Sequence, residues 1–173
     1  MKPPPTDTID LDRFLPYRLS VLTNLVSSAI ADAYRRRFGL GIPEWRVLAV
    51  LARHPGLSAA EVAERTRMDA VAVSRAVARL LAAGRLRRSV SRDDRRRSVL
   101  AVSAAGAAVY REIAPLALAY ERELLSALGA TEREALDRVL DVLTARAQAL
   151  PDTPPESAQA PARAAAGRRR RVR

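Results

Sequence analysis

Between Ser58 and Val102 the local signals leave room only for short elements: a helix, a turn, a second helix, then two strands. Ser58 followed three residues later by Glu61 is a capping box, which opens a helix to about Arg65 with Val62 pointing inward. Asp69 caps the next helix, which runs to about Ala83 and stops at Gly84. Leu86 to Val90 and Arg97 to Val102 then read as strands, joined through a turn at 92–96.

In the helix after Asp69, Val73, Val77 and Leu80 recur on one stripe and face a core. That turns Ala70, Val71, Ser74, Arg75, Ala78 and Arg79 outward, so the free face is small, hydroxylic or cationic. Such a face suits the major groove of duplex DNA. Arg75 can grip a guanine edge with two hydrogen bonds, Ser74 can meet either a donor or an acceptor, and Val71 can touch a thymine methyl.

The hairpin adds charge. Arg85, Arg87, Arg88, Arg92, Arg95, Arg96 and Arg97 stand against only Asp93 and Asp94, a density that repels itself unless anions are near. Asp94 can anchor one guanidinium and aim another outward. An arginine at a hairpin tip fits a narrow minor groove, where the negative potential is deepest. The candidate DNA contacts are therefore Val71, Ser74, Arg75, Arg79, Arg92, Asp94, Arg95 and Arg96. The whole chain of 173 residues carries a formal charge of +11, in keeping with a polyanionic partner. Part of that arginine excess also fits a composition bias, so its clustering matters more than its total.

Around this centre lie longer helices. Apolar residues recur at helical spacing from Leu11 to Phe38, ended by Gly39 and Gly41, and Pro43 opens a second helix to about Arg53. Ser103 caps a helix to about Ala127, and Thr131 with Glu134 reads as a capping box for a last helix bearing Leu136, Val139, Leu140, Leu143 and Ala147. Their apolar faces exceed what one small lobe can cover, which points to burial in a homodimer; a monomer with its terminal helices folded back is the competing arrangement. The expected division is a loose N-terminus at 1–10, a dimerisation helix at 11–42, a reading domain at 43–102, dimerisation helices at 103–149 and an Arg-rich, low-complexity tail at 150–173.

No cysteine is present, which excludes disulfides and thiolate metal sites on this chain. His54 stands alone before Pro55 in a helix-ending turn, with no accompanying carboxylate pair, nucleophile motif or phosphate-cradling loop. An enzyme is not expected, nor a cofactor or a metal. Met1-Lys2-Pro3-Pro4-Pro5 lacks the apolar core of a secretion signal and no run is long enough to span a membrane, so a cytoplasmic protein without a membrane partner is expected.

Two local signatures carry a family resemblance. One is Met68-Asp69 followed by Val73-Ser74-Arg75-Ala76-Val77 and the leucine pair before Gly84; the other is Asp94-Arg95-Arg96 leading to Val102-Ser103-Ala104-Ala105-Gly106. With the order of elements from about Leu11 to Arg146, these resemble the MarR family of winged helix-turn-helix regulators. The resemblance implies a mainly α fold with a small β-hairpin, in which a winged helix-turn-helix core is flanked by N- and C-terminal dimerisation helices. It also implies that the helix from Asp69 reads the major groove of a palindromic operator, while Arg96, paired with Asp94, enters the minor groove. Ala70 and Ala72 stand where the family often has a basic residue and a hydroxyl, which shifts base contacts onto Ser74, Arg75 and the wing.

By the same resemblance, a repressor is expected whose grip is relaxed by a small molecule. Tyr17 and Arg18 on the first helix and Trp45 and Arg46 on the second are candidate walls for an aromatic carboxylate or acyl thioester. The rival expectation is an architectural binder that uses its arginines only for backbone charge and answers to no ligand.

The tail bears on that rivalry, because a flexible polycation adds affinity for any duplex. Truncation after Leu150 is expected to weaken binding to all DNA while leaving site preference unchanged, read by titrating one preferred and one random duplex. Loss of the preference itself would contradict this division of labour.

Overall fold

The computed structural model describes residues 9–90, 94 and 96–151. Six helices and one hairpin follow in the order α1 (Leu15–Phe38), α2 (Ile42–Arg53), α3 (Ala59–Thr66), α4 (Ala70–Ala82), β1 (Leu86–Val90), β2 (Ser98–Val102), α5 (Ala104–Leu125) and α6 (Ala130–Ala149). They fall into two compact units divided after Leu124.

In the first unit each helix boundary has a local cause. Pro16 sits in the first turn of α1, where a missing donor costs little, and Gly39 closes that helix at φ 62°. The Ser58 hydroxyl accepts the Glu61 backbone N–H at 3.3 Å, while the Glu61 carboxylate accepts the Ser58 N–H at 2.7 Å, so the expected capping box is complete. Asp69 accepts the Ala72 N–H at 2.9 Å and thereby caps α4. Between α3 and α4 the turn passes through Arg67 in the left-handed region at φ 51°, a conformation few non-glycine residues adopt.

The core is a stack of inward stripes from these elements. Val47, Leu48 and Leu51 of α2, Val62 of α3 and Val73, Ala76, Val77 and Leu80 of α4 are all buried, with Leu86, Leu100 and Ile113 closing the cluster from the hairpin and α5. β1 and β2 pair antiparallel in the register Leu86 to Val102 and Val90 to Ser98. A bridge beyond the hairpin ties it down: Leu100 N–H donates to the Leu57 carbonyl at 2.8 Å, and Gly56 N–H donates to the Leu100 carbonyl at 2.9 Å. The middle of β2 is thus hydrogen-bonded to the turn that precedes α3.

Several expected boundaries move. α1 starts at Leu15 and not Leu11, because Asp10 turns the chain there: its carboxylate accepts the Asp12 N–H and its carbonyl the Arg13 N–H. β2 begins at Ser98, one residue late, since the Arg97 N–H is taken by the Asp94 carbonyl. α5 ends at Leu125, two residues before the expected Ala127.

The second unit holds α6, which by itself buries no side chain. Its expected cap of Thr131 with Glu134 is wrong by two residues. The Glu132 carboxylate accepts the Gly129 N–H at 2.8 Å, which starts the helix at Ala130 and leaves Thr131 inside the first turn.

One glycine is under a severe steric demand. At Gly106, in the first turn of α5, a Cβ would lie 2.1 Å from the Arg85 carbonyl oxygen and 2.9 Å from the Val102 side chain. Gly106→Ala is therefore expected to lower stability by about 1–3 kcal/mol or more, measured by thermal unfolding. Gly129→Ala, with its nearest neighbour 3.5 Å away, is the steric control and should lose only the N-cap preference for glycine, about 0.5–1 kcal/mol.

Candidate nucleic-acid interface

Burial of one stripe of α4 decides what the opposite face offers. With Val73, Ala76, Val77 and Leu80 seated inward, Ala70, Val71, Ser74, Arg75, Ala78 and Arg79 are all exposed, as the spacing predicts. Val71 is 55% exposed, an apolar side chain standing in water on a cationic face. The Arg75 guanidinium has no ion pair among the described residues and is free to bond a ligand. Arg79 is committed: its Nη1 donates to Oε1 of the buried Glu44 at 2.7 Å.

The hairpin is set beside α4 by two arginines at its ends. Arg85, just after Gly84, donates to the Phe38 carbonyl at 2.6 Å. Arg97 forms a two-oxygen ion pair with Glu61 of α3. That pair, added to the backbone and hydroxyl hydrogen bonds from Ser58, holds the Glu61 carboxyl down at about 2 against an ordinary 4.5; the Ser58 N–H is the largest cause. Asp94 shapes the tip through the backbone, its carboxylate accepting the Arg96 N–H at 2.9 Å. Both Asp94 and Arg96 are exposed, and among the described residues the Arg96 guanidinium has no ion pair. Arg92 and Arg95 lie outside the described residues.

The candidate small-molecule residues are divided between two places. Tyr17 and Arg18 line a groove of about 300 Å³ along the start of α1, together with Leu11, Asp12, Val21, Leu22 and Leu25. Trp45 is half-buried, stacked on Tyr110 of α5 with ring centroids 5.7 Å apart and tilted against Tyr34 of α1 at the same distance, so it is engaged with aromatic neighbours from both helices. Arg46 reaches Ser27 of α1 at 3.1 Å. Ser27 lies about 15 Å farther along the helix than Tyr17. The four residues therefore do not form one wall within this chain.

Sequence reasoning missed Glu44, Glu61 as an anchor for Arg97, and Arg85 as a donor to α1. The first two were visible as acidic residues in first helical turns, but their partners are 35 and 36 residues away and carry no local signal. Among the described residues no group of three His, Cys, Asp or Glu side chains is placed to hold a metal, and no helix is long and apolar enough to cross a membrane.

Comparison with known proteins follows the same geometry. A family model described as "MarR family" matches residues 38–97, from the end of α1 to the wing. An HTH-type transcriptional repressor of Mycobacterium tuberculosis is 29% identical over 131 residues, covering 75% of this chain and 91% of the relative. The crystal structure of a MarR/EmrR family transcriptional regulator from Acinetobacter sp. superposes with a TM-score of 0.75 at 25% identity, over 82% of this chain and all of that one. CouR from Rhodococcus jostii, solved bound to p-coumaroyl-CoA, has a TM-score of 0.68 at 19% identity, over 79% of this chain and 95% of that one.

The Glu61 cap has a pH signature. Because its folded value lies below its unfolded one, the stability it adds is fully present above about pH 4.5 and is lost as pH falls toward about 2. Acid unfolding followed by circular dichroism should show wild type losing stability through that window more steeply than Glu61→Gln, with the two curves converging at the acid end. Parallel curves would remove Glu61 as the anchor.

Proposed function

Since the chain belongs to the MarR family of winged helix-turn-helix transcriptional regulators, we propose that it is a repressor that binds a palindromic operator as a homodimer and lets go when a small ligand binds. The observation that carries the DNA-reading part is the uncommitted outward face of α4, Val71, Ser74 and Arg75, next to a hairpin that presents Arg96. In this reading α4 lies in the major groove with Arg75 on a guanine edge, and Arg96, steadied by Asp94, enters the adjacent minor groove. Arg92 and Arg95, near Arg96 in sequence, add to the positive charge of this segment.

Uncovered apolar surface supports the dimer. Leu15 and Leu19 of α1 are 45% and 40% exposed, and Val142 of α6 is 63% exposed amid Leu136, Val139 and Leu140. A second copy covers these faces at no cost in new chemistry, and two-fold symmetry then presents two reading helices about 34 Å apart.

For the ligand, the α1 groove combines a phenol, a guanidinium and apolar walls, which suits an aromatic carboxylate or an acyl thioester. The acyl thioester bound by the Rhodococcus structure is of that class. Trp45 and Arg46 link α2 to α1 farther along that helix, through Tyr34 and Ser27. A ligand that binds better to a helix spacing DNA does not accept converts its own binding energy into lost operator affinity.

Selection from random duplexes tests the proposal. The protein should enrich an inverted repeat, and Arg75→Ala should lose about 1–3 kcal/mol of discrimination for it while remaining dimeric by light scattering. Equal binding to all duplexes would instead establish the architectural binder.

A further inference from the structure

Among the described residues Glu44 is the one charged side chain that is buried, at 4% exposure. A carboxylate withdrawn from water needs partners, and Glu44 has two: Oε2 accepts the Gly41 N–H at 3.0 Å, and Oε1 accepts from Arg79 at 2.7 Å. Arg79 belongs to the outward face of α4, yet its guanidinium is folded back to the start of α2.

We propose that Glu44 is a positioning residue for DNA recognition, with Arg79 acting as a strut that fixes how the reading helix is rotated and seated, and not as a contact to DNA. This rests on α4 being the reading element.

The argument is geometric. The apolar stripe of α4 decides which face points inward, but dispersion contacts are non-directional and leave small rolls and slides of the helix inexpensive. A charge-assisted hydrogen bond is directional, and this one joins the C-terminal half of α4 to the first turn of α2. A second tie works in parallel: Arg85, which follows α4 directly, donates to the Phe38 carbonyl at the end of α1. Between the two ties lies the corner Gly39-Leu40-Gly41, with Leu40 buried at 1% exposure. Both ends of the α1–α2 corner are thereby clamped to the far end of the reading helix, so a tilt of α1 reaches α4 through Arg79 and Arg85. The placement of Arg75 and Ser74 in a groove depends on this clamp.

The test compares full-length wild type with Glu44→Gln, Arg79→Met and the double variant, each titrated against the operator selected by the wild type and against a random duplex over a range of salt. Removal of the strut should cut the ratio of operator to random affinity about tenfold in either single variant, and the double variant should be no worse than a single one, since both remove the same link. The slope of affinity against salt should not change. A direct phosphate contact by Arg79 predicts the opposite: Arg79→Met would weaken both duplexes equally and reduce the slope by about 0.9, and Glu44→Gln would leave the ratio intact or strengthen binding. That result overturns the inference. Arg79→Lys serves if Arg79→Met folds poorly in a thermal melt. It keeps the charge but loses the planar fork, so the strut predicts a lowered ratio and a phosphate contact predicts near wild-type binding. A wild type without any preference would overturn the reading function itself, whereas a preference that survives in every variant overturns the strut alone.

Discussion

The burial of Val73, Ala76, Val77 and Leu80 against α2 and α3 is the constraint from which the interface follows. Because 3.6 residues make a turn, seating these four commits Val71, Ser74, Arg75, Ala78 and Arg79 to the outside. A reading face is therefore the by-product of a core. Ser74, Arg75 and Arg79 prefer water or an anion to the interior, whereas Val71, 55% exposed, leaves apolar surface in water on that face.

Within that frame the arginines divide their work. A net charge of +11 suggests a uniform polycation, but three guanidinia around the reading segment are bonded to partners in the same chain: Arg79 to Glu44, Arg85 to the Phe38 carbonyl and Arg97 to Glu61. These three set where α4 and the hairpin stand. Arg75 and Arg96, which have no ion pair among the described residues, are the ones whose positions are thereby set. Electrostatic attraction brings the duplex in, and the internal pairs turn attraction into register.

Much of this was legible in the sequence because the signals are local. Caps act over three residues, so Ser58 with Glu61, Asp69 before α4 and Gly39 after α1 could be read directly, as could the inward stripe of α4 from its spacing. Where two local signals compete, reading failed: Glu132 lies as well placed as Glu134, and only backbone geometry shows that Gly129 is the capped residue. Long-range pairs were invisible. Nothing near Glu44 points to Arg79, and nothing near Leu57 announces its bridge to Leu100. The ligand residues illustrate the same limit, since Tyr17 and Trp45 look alike as aromatic neighbours of arginines, yet one lines an open groove and the other is stacked on Tyr110 and tilted against Tyr34.

The account stands on a reading helix displayed twice with a minor-groove prong beside it. Methylation interference on the selected operator examines this most directly, because guanine N7 reports the major groove and adenine N3 the minor. Two symmetric clusters of guanine interference one helical turn apart, each neighboured by adenine interference, are the predicted pattern. A single cluster, or interference spread evenly along the duplex with no minor-groove component, would contradict it.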